Sequence, residues 1–268
     1  MVMGILNVTP DSFSDGGCYL DPERAVARGE ELVAEGAEVI DIGGESTRPG
    51  AAPVDEAEEL RRVIPVVRAL AAKTRALISV DTRKAGVARA ALDAGASIIN
   101  DIEANRSDTG LWKTVAATGA GYVLMHMQGS PGTMQVAPRY DDVVAEVGAF
   151  FRERLARLHE AGVRAEQVLL DPGIGFGKTL EHNLALLRDL RVLSSAGRPT
   201  LLGVSRKSFI GRLFGSEEPQ QRLGASLACA LWAAGSGAAS VFRVHDVAVT
   251  VQALRMREIL EDPQTKTH

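Results

Sequence analysis

Cysteine is scarce in this chain: Cys18 falls in a loop pattern, Cys229 in a helical one, and nothing pairs them. Neither a disulfide framework nor a metal or redox motif has the spacing it needs, and a reduced cytosol is the simplest compartment. Excess charge of one sign is missing too. Lys+Arg 30 against Asp+Glu 34 leaves −4, so nothing global attracts nucleic acid or an anionic membrane. An anionic substrate must therefore be held by local positive charge. There is no low-complexity tract, short-period repeat or linker. The first residues enter a strand pattern at once, without the basic stretch and cleavage site of a signal peptide. One long run, Leu223 to Phe242, carries no charge and has the length of a membrane span. It is rich in Ala, Gly and Ser and is broken at Gly235-Ser236-Gly237. A buried helix followed by a strand is the expectation.

What the chain does have is a repeated phrase: a short apolar run, then a polar or charged residue. It occurs eight times, at residues 2–7, 39–44, 77–81, 97–100, 122–126, 168–171, 201–207 and 240–245. Buried parallel strands read as continuous apolar runs. Between them lie helical patterns over 22–35, 54–73, 85–94, 111–118, 140–161, 181–194 and 247–261. Asp21 is placed to cap the first, with Pro22 at its first position. Strand–helix alternation argues a parallel α/β fold. The 268 residues are close to the roughly 250 of one (β/α)8 barrel. The expected fold is thus a single α/β TIM barrel over 1–262, with a disordered tail at 263–268. Long connections follow the first and second strands, over 9–20 and 43–55, placed to act as mobile lids.

In such a barrel the chemistry sits at the C-terminal ends of the strands. Asn7 ends the first strand and reads either as a capping amide or as an oxygen for Mg²⁺ or phosphate. Asp81, Asn100 and Asp171 end three strands and should converge. A carboxylate beside an amide matches the donor edge of an aminopyrimidinone ring. Asp171 to Thr179 looks like a Walker A loop, but Pro172 stands where its first glycine belongs. Its glycines read as a tight turn offering Phe176 as an apolar wall, with Lys178 near an anion. Ser205-Arg206-Lys207-Ser208 ends the seventh strand and opens a helix near Ser208; Lys207 reaches either inward to a ring or outward to an anion. Arg243 and His245 alternate onto one side of the last strand and suit a diphosphate clamp. Thr47-Arg48-Pro49 lies in the second loop, over the site. His126 has no assignable reacting role.

Eight segments in order, 3–17, 41–50, 79–82, 99–101, 125–129, 171–178, 205–208 and 243–246, resemble the dihydropteroate synthase family over nearly the whole chain. That resemblance implies condensation of 6-hydroxymethyl-7,8-dihydropterin diphosphate with p-aminobenzoate, giving 7,8-dihydropteroate and diphosphate, with Mg²⁺. It assigns Asp81, Asn100, Asp171 and Lys207 to the pterin, and Asn7, Arg243 and His245 to the diphosphate, Asn7 also to the metal. Phe13, Thr47, Arg48, Pro49, Phe176 and Ser208 would surround p-aminobenzoate, with Asp15 in the first loop acting beside Lys207, Arg243 and His245. It also implies a homodimer, with the Ala-rich 226–234 segment able to supply the face. The sequence starts at the first strand, where many relatives carry an extra segment, so a different or shortened barrel floor is expected. Gly132 stands where relatives often have a basic residue, and 102–106 departs from their smaller residues; neither change touches an assigned ligand. Two other readings remain open: a methyltetrahydrofolate-binding methyltransferase domain, and a silent pterin-binding paralogue. Sulfonamide sensitivity is not legible.

Overall fold

The computed structural model describes residues 1–9, 21–46, 52–104, 106, 110–194 and 196–262. In chain order its main elements are β1 (Val2–Asn7), α1 (Pro22–Ala34), β2 (Val39–Gly43), α2 (Glu56–Lys73), β3 (Leu77–Asp81), α3 (Ala85–Asp93), β4 (Ile98–Asp101) and α4 (Gly110–Thr118). There follow β5 (Gly121–Met125), α5 (Val143–Glu160), β6 (Val168–Asp171), α6 (Leu180–Arg188), α7 (Leu190–Ser194), β7 (Leu201–Leu202), α8 (Ser208–Phe214), α9 (Leu223–Gly235), β8 (Val241–Val244) and α10 (Val247–Glu261). The strands are parallel, in the order β6-β5-β4-β3-β2-β1-β8-β7. The ring closes where Leu170 N donates to Pro199 O at 3.0 Å, beside a bridge from Leu170 to Thr200. This is the expected barrel, with helices between successive strands.

Helix starts follow local chemistry. Asp21 accepts from the amides of Glu23 and Arg24 and precedes Pro22, so two orphan N–H groups are satisfied. Asp55 accepts from Glu58 N at 2.8 Å, and Glu56, Glu58 and Glu59 sit in the favourable first turn of α2. Asp142 caps α5, which is why that helix starts at Val143 rather than at Tyr140.

Three expectations need correction. The seventh strand is only Leu201–Leu202, because the chain then turns: Lys207 N donates to Val204 O and Arg206 takes a left-handed φ of 57°. The helix expected over 181–194 is two, interrupted at Asp189 with φ −103° and ψ 21°. Helix α9 is not buried all round: Trp232 on it is 64% exposed. No helix among the described residues is long and apolar enough to cross a membrane.

Strand alternation divides the barrel. Met3, Val39, Ile98, Val123, Leu201 and Val241 form a small apolar cluster, while a larger core lies between strands and helices. Nearer the strand ends, Asn7 stands beside Gly43, Gly43 beside Asp81, and Asp81 beside Asn100. Each of these is two residues on from a lower inward position such as Ile5, Asp41 or Ser79, so all face the lumen. The register thus turns an apolar floor into a polar rim.

Candidate functional site

Beneath the rim lies a carboxylate that the sequence reading passed over. Asp41 is fully buried and accepts three hydrogen bonds: from Ser79 Oγ at 2.6 Å, Asn100 Nδ2 at 3.0 Å and Arg243 Nε at 2.6 Å. Its sequence signal is a charged residue inside the apolar run Val39-Ile40-Asp41-Ile42, since an unpaired buried charge is rarely tolerated. Arg243 spans two carboxylates, reaching Asp81 Oδ2 at 3.1 Å as well. Burial works against its charge, yet Asp41 and Asp81 raise its pKa above the ordinary arginine value. Asp41 therefore joins a residue assigned to the pterin, Asn100, to one assigned to the diphosphate.

Asp81 is pushed up to about 7, first by burial, with Arg243 opposing and Asp41 adding repulsion. Asp171 is also raised by burial, against the Gly173 amide and Lys207; Gly173 N donates to its Oδ1 at 2.7 Å. Lys207 is drawn down to about 8 by burial, with Asp171 resisting. Its ammonium lies 3.9 Å from the centroid of the Phe176 ring, a cation–π contact. Of its two expected directions, Lys207 takes the inward one. Ser208 opens α8 and is exposed. The structure thus brings Asp81, Asn100, Asp171, Lys207, Phe176 and Arg243 to one end of the barrel.

His245 has a different electrostatic character from a cationic clamp. Burial, then Arg243 and Arg206, lower its pKa to about 4, so it is neutral near pH 7. Its Nδ1 lies 3.1 Å from Ser205 Oγ, and its amide donates to the same oxygen at 3.2 Å. A neutral imidazole offers an anion a hydrogen bond rather than charge.

Lys178 bonds to the backbone and to a ring nitrogen rather than to a carboxylate, and burial lowers its pKa to about 7, with the Asp171 charge opposing. It is 1% exposed and its Nζ meets backbone carbonyls and His126 Nδ1. Asp101, also at a strand end, turns out of the lumen: it accepts from Tyr122 Oη at 2.7 Å and from Glu103 N at 2.8 Å.

Ion pairs fasten the second loop where it leaves β2. Glu45 contacts Arg83 at 3.0 Å and Lys84 at 2.6 Å, Arg83 reaches Glu103 at 2.6 Å, and Lys84 also pairs with the buried Glu59. The sequence reading singled out none of these. Phe13, Asp15, Thr47, Arg48 and Pro49, Cys18, the first-loop lid and the tail at 263–268 lie outside the described residues.

A family model described as "Pterin binding enzyme" matches residues 3–245. Dihydropteroate synthase of Escherichia coli is 53% identical over 257 residues, 96% of this chain and 90% of that protein. Among solved structures, Xanthomonas albilineans dihydropteroate synthase with 4-aminobenzoic acid superposes with a TM-score of 0.91 at 52% identity, covering 97% of this chain and 92% of that one. The same enzyme in complex with 7,8-dihydropteroate gives 0.88 at 49% identity, with 97% and 93% covered.

Proposed function

Since the chain belongs to the dihydropteroate synthase family of pterin-binding enzymes, we propose that it is a transferase that joins 6-hydroxymethyl-7,8-dihydropterin diphosphate to p-aminobenzoate, releasing diphosphate. The observation that carries this reading is the constellation of Asp81, Asn100, Asp171 and Lys207 at the barrel mouth, tied through Asp41 to Arg243. Ionised Asp81 and Asp171 accept the planar donor pairs of the pterin ring. Asn100, held by Asp41, offers its remaining amide oxygen, which has no partner among the described residues. Lys207 adds a donor beside the ring.

The reacting methylene sits on an electron-rich dihydropterin. Its C–O bond can therefore break ahead of attack, and the neutral aryl amine then forms the C–N bond and loses a proton. This route needs no nucleophile–base pair. It needs a held leaving group, a stabilised cation and a positioned acceptor. Arg243 supplies charge to the departing diphosphate and neutral His245 a hydrogen bond, while the two aspartates favour the positive pterin. Phe176, with Ser208 and the residues of both loops, forms the p-aminobenzoate subsite, which a sulfonamide would share.

Mg²⁺ is part of the proposal. No cluster of three His, Cys, Asp or Glu suited to a metal exists among the described residues. Asn7 Oδ1, however, stands 3.8 Å from the point where a Cβ on Gly43 would lie, at the open rim. One hard oxygen fits a metal that keeps several waters and leans on substrate phosphates. When bound, the ion offsets charge on the leaving diphosphate.

A homodimer in a reducing cytosol completes the reading. Trp232 on α9, 64% exposed, and Met256 and Leu260 on α10, 52% and 71% exposed, offer an apolar face of the kind interfaces use.

The test mixes purified protein, Mg²⁺, the pterin diphosphate and p-aminobenzoate, and detects dihydropteroate by mass and diphosphate by release. Product that requires both substrates supports the synthase. Pterin binding without product points to the silent paralogue, and no pterin binding removes the assignment of Asp81, Asn100 and Asp171.

A further inference from the structure

The proposed chemistry leaves two buried groups without a task, His126 and Lys178. Lys178 Nζ lies 2.9 Å from the carbonyl oxygens of both Gly173 and Phe176, 3.3 Å from that of His126, and 3.0 Å from His126 Nδ1. Four polar atoms thus converge on one buried nitrogen, whose pKa burial lowers to about 7 against the pull of Asp171. Burial, then the positive charges of Lys178 and Arg106, hold the His126 pKa far below its ordinary value. The ring is neutral, and its Nδ1 pairs with the Lys178 nitrogen.

Around this centre two connections are pressed together. A Cβ on Gly173 would sit 1.9 Å from His126 O, and one on Gly177 2.4 Å from Gln128 O. Gln135 Nε2 donates to Gly175 O at 2.7 Å and Tyr140 Oη to Gly177 O at 2.9 Å. The turn after β6 is laid on the segment after β5, with two of its carbonyls aimed inward at the lysine. Phe176 rides on this turn. It packs on Ile102, Met125, Met127 and Met134 and presents its face to Lys207.

We infer that Lys178 is a positioning residue: its Nζ pins the 173–177 turn to the segment after β5 and thereby fixes Phe176 as the wall of the p-aminobenzoate subsite. His126 serves as the neutral fourth partner of the pin. The inference deepens the synthase reading and rests on it for the identity of the second substrate. An apolar side chain of similar length would fill the space but strand the carbonyls and the imidazole nitrogen, an unfavourable burial that the turn relieves by lifting away. Asp171 sits on β6 itself and loses only part of its support.

Lys178→Met tests the pin. The KM for p-aminobenzoate is expected to rise about tenfold or more, while the Kd for pterin diphosphate, measured by calorimetry without p-aminobenzoate, stays within about threefold. Amide exchange in the peptide 172–178 is expected to run about tenfold faster, with β1 and β2 peptides unchanged. His126→Leu, which removes one partner and leaves the carbonyls, should raise that KM by about threefold, and the double variant should be no worse than Lys178→Met. Unchanged KM and exchange in folded Lys178→Met overturn the inference, as do equal losses for both substrates. If Lys178→Met does not fold, His126→Leu decides on the same readouts. If the wild type itself makes no product, the synthase reading fails, and exchange at 172–178 alone supports or overturns the pin.

Discussion

Replacing Asp41 with Asn probes the joint between the two halves of the site. The carboxylate takes three donors, from Ser79, Asn100 and Arg243. An amide has one oxygen, and its NH2 must face one of those donors. Arg243 suffers most, since a bond to a charged group contributes about 1.5–3 kcal/mol. Stripping a buried ion of its partner costs about 3–5 kcal/mol. Arg243 keeps Asp81 at 3.1 Å, which places the cost at the lower end, about 3 kcal/mol. For a chain of this size that corresponds to a fall in Tm of about 6–12 °C. Asn100 is freed as well, so pterin affinity should drop together with stability. Ser79→Ala, which removes one neutral donor, provides the scale and should cost only about 1 kcal/mol. Thermal unfolding by calorimetry and titration with a pterin lacking the diphosphate measure both effects. A Tm within about 2 °C of wild type, with pterin affinity unchanged, would refute the view that Asp41 organises the site.

Three further outcomes follow from particular contacts. Asp81 must be ionised to accept the ring donors and has a pKa raised to about 7, so binding weakens as pH falls through that value. Lys207, lowered to about 8, loses its charge as pH rises through it, and kcat/KM for the pterin diphosphate should peak between the two; a profile flat from about pH 5.5 to 9 would contradict both roles. Gly173→Ala puts a Cβ 1.9 Å from His126 O at a φ of +65° and should destabilise by about 3 kcal/mol or more, whereas Gly132→Ala, with open space around it, should stay within about 0.5 kcal/mol; equal melting points would reject the docked-turn geometry. Arg243→Ala would strand Asp41 and Asp81, so Arg243→Lys is the cleaner probe of the diphosphate: turnover should fall roughly 10²-fold, with affinity for a pterin lacking diphosphate nearly unchanged, and equal losses for the two ligands would point to a disturbed pterin pocket instead.

The barrel was legible because its signals are local. An apolar run followed by a polar residue marks a strand and its C-terminal end, and period-two alternation then says which side chains face inward. That is enough to place Asn7, Asp81, Asn100, Asp171 and Arg243 on the mouth. It does not say what each one touches. Asp41 and Arg243 are 202 residues apart in sequence and meet only because β1 pairs with β2 on one side and with β8 on the other. Charge states are equally non-local. Arg243 and His245 read together as a diphosphate clamp, yet burial, then Arg243 and Arg206, lower the His245 pKa to about 4 and leave its ring neutral.

Lys178 shows where reading by residue type fails. A lysine after a glycine-rich turn invites an anion, because cations usually seek solvent or negative charge. Here it is backbone carbonyl oxygens that meet the side-chain nitrogen. Every residue carries one, so no letter of the sequence announces their convergence; only the path of the chain does. The glycines were the one visible hint. They read correctly as marks of a tight turn, and Gly173 and Gly177 do take positive φ. The same residues permit the close approach that delivers the carbonyls of Gly173, Phe176 and His126 to one point. A lysine beside such a turn therefore has two readings, ligand contact or internal pin, and burial separates them. At 1% exposure, Lys178 is a pin.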